Sequence, residues 1–138
     1  MINKVYLLWH SYITKELLVI ASLTKTDNSK YIFKYEKDAL KAKKLNCFLP
    51  FNYTEEELYF SSLPDFFSQR MLTSKYYVDK LGINYDSNDE LSILTYGDSI
   101  KNTDNFRIIS EKDYNSLMEL TGYNMDDNKE KSYQPLRK

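Results

Sequence analysis

Only two side chains in this sequence are of the kind that attack or shuttle protons near neutral pH: His10, its single histidine, and Cys47, its single cysteine. An imidazole beside a thiol is the smallest set that would support a sulfur nucleophile with its own base. Cys47, however, is followed by Phe48 and Leu49, and apolar surroundings raise a thiol's pKa, which reads as a buried structural cysteine. His10 closes a strand-like run, so a structural or surface imidazole is the simpler reading of it. One His and one Cys are too few soft ligands for a structural zinc site, so neither a metal nor a cofactor is expected. Asp86-Ser-Asn88-Asp89-Glu90 opens like a calcium loop, but Leu91 stands at the sixth position and Gly97 at the twelfth, where that loop needs Gly and Glu. A solvated helix cap fits better. Gly82, Gly97 and Gly122 read as helix terminators, not as a phosphate-binding loop, and the signature loops of a kinase are missing. The carboxylates at Glu55 to Glu57 and Asp126-Asp127 read as solvated charge. No constellation of residues supports turnover, so a non-enzymatic chain is expected.

Lysine is the other chemically suggestive residue. Lys30, Lys34, Lys37, Lys41, Lys43 and Lys44 fall close together beside Tyr31, Phe33 and Tyr35. Of these, Lys34, Lys37, Lys41 and Lys44 are the candidate nucleic-acid contacts, tracking phosphates while aromatic faces stack on bases. A solvated helix face is the competing reading. Over the whole chain, 19 Lys and Arg against 20 Asp and Glu leave a net charge of -1. That balance argues against a surface given over to nucleic acid or anionic membrane, while leaving room for a local patch.

The elements that must carry these residues follow from periodicity. In 138 residues with 42% hydrophobic and 15% aromatic content there is material for one folded domain. Strands are predicted at Lys4 to Trp9, Glu16 to Leu23 and Tyr31 to Tyr35, the last two joined by an Asp27-Asn28-Ser29 turn. A helix over Glu36 to Leu45 places Ala39, Leu40 and Ala42 inward and Lys37, Lys41 and Lys44 on an exposed stripe. An extended segment through Pro50 follows, then a turn or loop at Thr54 to Glu57. Leu63, Phe67 and Met71 mark the buried side of a helix opened by Pro64, and Tyr76 to Leu81 a separate short helix stopped by Gly82. Asn88 or Asp89 caps another, presenting Leu91 and Leu94 and ending at Gly97. Asn105 to Ile109 reads as a strand, and Ser110 to Asp113 starts a helix that buries Tyr114, Leu117 and Met118 and continues to Thr121. The expected architecture is α+β: a small antiparallel sheet of three to five strands with four or five short helices, over residues 1–122. Residues 123–138 read as a polar, flexible tail. The lone cysteine, and apolar runs far shorter than the roughly 18 to 20 residues of a membrane span, point to the cytoplasm.

The phrase Leu63-Pro-Asp-Phe-Phe-Ser-Gln-Arg70, the Lys80-Leu81-Gly82 stop, the Glu90 to Gly97 segment and the closing Phe106 to Ile109 run together resemble the N-terminal subdomain of HipA-type serine/threonine kinase toxins, a module that also occurs as a free-standing chain. The similarity spans about Lys4 to Ile109. The chain departs from the family at Gly97 to Asp104, where a Gly-rich loop is usual, and after Tyr114. This resemblance implies an antitoxin or accessory subunit that docks on a separately encoded HipA-like kinase core and inhibits it. Interface energy is concentrated in a few aromatic and Arg anchors, and Trp9, Tyr12, Phe66 and Arg70 are the candidates, Trp9 being equally at home in a core. Phe66 is preferred over Phe67 because Phe67 belongs to the buried stripe, and Arg70 shares the face of Phe66 one turn later. Tyr31-x-Phe33-x-Tyr35 with Thr103-Asp104-x-Phe106 also resembles small bacterial HIRAN-like proteins, which implies binding of DNA ends or single strands as an alternative. A phage- or defence-related inhibitor of a host enzyme is a third reading.

Overall fold

A computed structural model describes residues 2–82, 89–100 and 105–120. Five strands, β1 (Lys4–His10), β2 (Leu17–Lys25), β3 (Tyr31–Tyr35), β4 (Leu58–Phe60) and β5 (Phe106–Ser110), form one sheet in the order β4-β3-β2-β1-β5, every neighbouring pair antiparallel. Four helices accompany it: α1 (Ala39–Lys44), α2 (Asp65–Lys80), α3 (Glu90–Ile100) and α4 (Glu111–Leu120). This is the α+β architecture the periodicity predicts. Gly122, Thr121 and the 123–138 segment lie outside the described residues, as do Asp86 to Asn88 and Thr103-Asp104.

Strand alternation assigns the sheet two faces. Val5, Leu7 and Trp9 of β1, Phe33 of β3 and Ile108 of β5 join Leu63, Phe67, Leu91 and Leu94 of the α2 and α3 side in the main core. Tyr6, Leu8 and Val19 point the other way, under Tyr114 of α4. In β2 the alternation breaks once. Leu7 lies opposite Ala21 and Leu8 opposite Val19, so Ile20 is an extra residue, a β-bulge, and both Ile20 and Ala21 reach the main core.

The bulge explains why α1 is shorter than the predicted Glu36 to Leu45 helix. The Glu36 N–H donates to the Ile20 carbonyl (2.7 Å) and the Asp38 N–H to that of Val19 (3.1 Å). In return the Asp38 carboxylate accepts the Val19 N–H at 2.9 Å, and Glu36 accepts the Ser22 hydroxyl at 2.9 Å. Residues 36–38 thus satisfy backbone groups that the bulge releases from the ladder, and are held out of helical geometry. At its other end α1 closes on a Schellman motif: Asn46 takes a φ of 73°, its N–H reaches the Lys43 carbonyl (3.1 Å), and that of Cys47 reaches Ala42 (2.9 Å).

Two further expectations are corrected, and one strand is added to those predicted. β4 is a strand that propensity does not announce, being three residues long. The two helices predicted between Pro64 and Gly82 are one, α2, because no Gly or Pro interrupts the ladder between them. Pro64 stands just before the helix, its carbonyl accepting the Phe67 and Ser68 N–H groups. Gly97 does not end a helix but lies within α3, which runs to Ile100. Gly82 does act as a terminator, with φ +71° and its N–H on the Asp79 carbonyl. No described helix is long and apolar enough to cross a membrane.

Candidate interaction surface

The six residues joining β1 to β2 form a loop whose shape is dictated by Ser11. That side chain is fully buried, and its Oγ accepts the N–H groups of Ile13 (3.1 Å) and Thr14 (3.2 Å). Across the loop, the Ser11 N–H donates to the Glu16 carbonyl (2.9 Å) and the Lys15 N–H to the Ser11 carbonyl (3.0 Å), with Lys15 in the left-handed region at φ 64°. With its backbone donors so engaged, the loop turns its large side chains outward: Tyr12 is 76% and Ile13 66% exposed. The Lys15 ammonium lies 5.7 Å from the centre of the Tyr12 ring. Glu16 at the loop's end pairs with Lys41 of α1 at 2.9 Å, which sets the loop against that helix and lowers the Glu16 pKa, chiefly through this bond.

Other apolar side chains emerge nearby. Leu17 follows the loop and Leu40 lies on α1; beyond the Schellman motif Cys47 turns inward and Phe48 outward, 86% exposed. Because β5 runs away from this end of the sheet, α4 returns to it. Ser110 caps α4 by accepting the Asp113 N–H at 3.1 Å, Tyr114 stacks on Tyr6 with ring centres 3.9 Å apart, and Leu117 and Met118 reach the start of β2. Two cavities open here. One, of about 380 Å³, is lined by His10, Leu17, Asn105 and Arg107. The other, of about 440 Å³, lies between Leu17 to Val19, the 37–41 region and Leu117 and Met118 of α4.

The residues singled out from sequence fall in three places. Tyr12 is at the loop tip. Trp9 is a core residue, 9% exposed, with Leu18 and Phe106 as its cross-strand neighbours, so any anchoring on this side passes to Tyr12 and Ile13. Phe66 is half-buried, edge-to-face with Phe67 and Phe106, and Arg70 lies over its ring while reaching the Phe106 carbonyl at 3.5 Å. Phe66 and Arg70 do share a face, as their spacing requires, but it is turned toward β5. Of the lysines, Lys34 projects from β3, Lys37 precedes α1, and Lys41 and Lys44 lie on the helix; all four are exposed. Lys41 is paired with Glu16, and partial desolvation by the surrounding chain holds the Lys37 pKa below its usual value although the residue is exposed.

The chemistry-bearing side chains are not brought together. Cys47 is buried in the main core with its thiol pushed up to about 12 by desolvation, whereas the His10 side chain is exposed at the end of β1, where the residue's backbone N–H donates to the Asn105 carbonyl at 2.9 Å. Among the described residues no group of three or more His, Cys, Asp or Glu side chains is placed to hold a metal ion. Sequence reasoning missed Ile13, Phe48 and the Leu17, Leu117 and Met118 wall. The available signal was an apolar Tyr-Ile pair inside a Ser-His-Thr-rich break between strands.

No protein-family model, no curated protein and no solved structure matches the chain.

Proposed function

We propose that this chain is a non-catalytic, cytoplasmic binding module that docks on a HipA-like serine/threonine kinase core as its antitoxin or accessory subunit. The observation that carries the docking mode is the loop built on Ser11: four hydrogen bonds fix the backbone that presents an exposed Tyr and Ile, so docking these side chains costs little further ordering of the loop backbone. The kinase as partner rests on the sequence resemblance around Leu63 to Arg70 and Lys80 to Gly97.

Co-expression with a HipA-like kinase core from the same genome tests this reading. Co-elution and a reduced rate of kinase autophosphorylation are expected, with Tyr12→Ala weakening capture by about thirty-fold or more, the scale of a hot-spot residue. A chain that never co-elutes with such a core overturns it. The alternative, a HIRAN-like binder of DNA ends or single strands, draws on the exposure of Lys34, Lys37 and Lys44. Titration with short DNA at two salt concentrations separates the two, since phosphate contacts weaken steeply with salt.

A further inference from the structure

An open sheet has two edges, and the phase of its ladder decides which backbone groups each edge presents. The Thr26 N–H on the Lys30 carbonyl (2.8 Å) and the Glu36 N–H on the Ile20 carbonyl (2.7 Å) set that phase between β2 and β3. Lys30, Ile32 and Lys34 therefore turn their backbone groups toward β2, and Tyr31, Phe33 and Tyr35 toward β4. Within β4 it is then Leu58 and Phe60 that exchange bonds with Phe33 and Tyr31, while the N–H and carbonyl of Tyr59 point out of the sheet. β4 is the last strand on its side, no described residue bonds to those two groups, and the Tyr59 side chain is 71% exposed. The opposite edge is occupied. The His10 N–H on the Asn105 carbonyl turns Arg107 and Ile109 toward β1 and leaves Phe106 and Ile108 facing outward, where Arg70 reaches the Phe106 carbonyl (3.5 Å) and Ile108 is buried.

We propose that the β4 edge receives an extended, basic segment of a protein partner as an added antiparallel strand, bonded through the Tyr59 N–H and carbonyl. A donor and an acceptor side by side on one strand residue are matched by the backbone of another strand, so the occupant is a polypeptide. Leu58 and Phe60 pack against the main core, and apolar side chains flanking the residue opposite Tyr59 extend that core. Charge selects the rest of the segment. Glu55, Glu56 and Glu57 lie exposed just before β4 and take part in no ion pair among the described residues, Glu57 accepting only the Tyr59 hydroxyl at 2.7 Å. Lys34, the cation nearest to them in register, stands one strand further in. Three carboxylates against that one cation favour lysines in the incoming strand, and oppose a nucleic acid and an acidic segment alike. A second copy of the chain is the poorer occupant, because three strand residues paired with themselves bury far less than the roughly 1,200 Å² of a specific interface. This inference rests on reading the chain as a binding module and adds which edge, besides the Tyr12 loop, the partner contacts.

The test uses the full ¹⁵N-labelled chain and a blocked heptapeptide, Ser-Val-Thr-Val-Lys-Gly-Lys, whose Thr falls opposite Tyr59 and whose lysines fall beside the glutamates. Amide shift changes are expected at Glu57, Tyr59 and Ser61. N-methylation of the peptide's Thr removes the donor to the Tyr59 carbonyl and is expected to weaken binding about ten-fold, whereas N-methylation of either Val, whose N–H faces away from β4, leaves it within about two-fold. Replacing both lysines with Glu is expected to weaken it about ten-fold at low salt and less at high salt. Tyr59→Pro deletes the outward N–H without touching the β3 ladder, so the variant is expected to keep its dispersed spectrum and lose the peptide, while Tyr59→Ala keeps the backbone and binds within about three-fold. If Tyr59→Pro does not fold, the paired N-methyl peptides still decide. No shift at these positions up to about 10 mM peptide overturns the proposal; so does equal affinity for the Thr-methylated or the Glu peptide, displacement of the peptide by oligo(dT), or self-association of the chain through β4. Capture of the kinase core separates the two levels. If folded Tyr59→Pro binds the core as the parent chain does while Tyr12→Ala does not, the edge proposal fails and the binding-module reading stands. If no form binds the core but the peptides bind in the stated order, the kinase is the wrong partner and the edge stands.

Discussion

Two tyrosine hydroxyls of β3 fasten other segments to the sheet, one an irregular stretch and the other the start of a helix. Tyr35 Oη donates to the Phe51 carbonyl and accepts the Phe51 N–H at 2.9 Å, so one phenol satisfies both backbone groups of a residue packed on Phe33. Tyr35→Phe keeps the ring and strands both groups, and is expected to cost about 1–3 kcal/mol in denaturant unfolding. Tyr31, whose hydroxyl donates to the Glu90 carboxylate, ties α3 to β3 in the same way. Cys47 is buried, as its apolar neighbours suggest, but only Leu49 packs on the same core; Phe48 turns outward, so the setting comes from the fold and not from the adjacent ring. The thiol's high pKa leaves it protonated at neutral pH, so an alkylating reagent at pH 8 is expected to label it only after denaturant is added. Trp9 was not decidable from sequence. An aromatic at the end of an apolar strand reads equally as core or anchor, and only the register against Leu18 and Phe106 fixes which way it points.

Among the elements, legibility tracked the length of uninterrupted periodicity. β1, placed by its run of Val, Tyr, Leu and Trp, and β3, which alternates Tyr31, Phe33 and Tyr35 against Ile32 and Lys34, stand where predicted, within a residue. β2 does not alternate, because Leu18, Ile20, Ala21 and Leu23 all face one core; a run of apolar residues conceals a bulge that only pairing reveals. α1 lost its first turn for the same reason, since Asp38 is occupied with the bulge. Asp38→Ala is expected to destabilise the fold by about 1–2 kcal/mol through the orphaned Val19 N–H, and to speed hydrogen exchange there, a site-specific readout. At the end of α2, Gly82 has nothing within 4 Å of where a Cβ would lie, so its substitution is opposed by conformation alone. Gly82→Ala should cost about 1 kcal/mol and Gly82→Asn less, since Asn tolerates φ above zero. Thermal or urea unfolding of the two variants makes that comparison.

At the scale of the whole molecule, a sheet covered on both faces by helices leaves its buried phenols and thiol short of water. Tyr31, Tyr35 and Tyr114 are raised above the ordinary tyrosine value and Cys47 to about 12, desolvation being the largest cause in each case; for Tyr31 the Glu90 carboxylate adds to it. All four groups are neutral when protonated and raised in the folded state, so the linkage has one sign. Their stability contribution is complete below the unfolded pKa values, near 9 for the thiol and 10 for the phenols, and drains as the pH rises through the folded ones. Each group that ionises only in the unfolded chain adds a slope of about 1.4 kcal/mol per pH unit. Urea midpoints are therefore expected to be flat between pH 7 and 8.5 and to fall with increasing steepness from pH 9 to 11. Tyr31→Phe should be less stable at pH 7 yet lose stability less steeply over that window, because it removes both the bond to Glu90 and one of the groups whose ionisation favours unfolding. A parallel fall in the two proteins would mean that Tyr31 titrates in the folded state as it does in the unfolded one, and that the α3 side of the core admits water at the Tyr31–Glu90 contact.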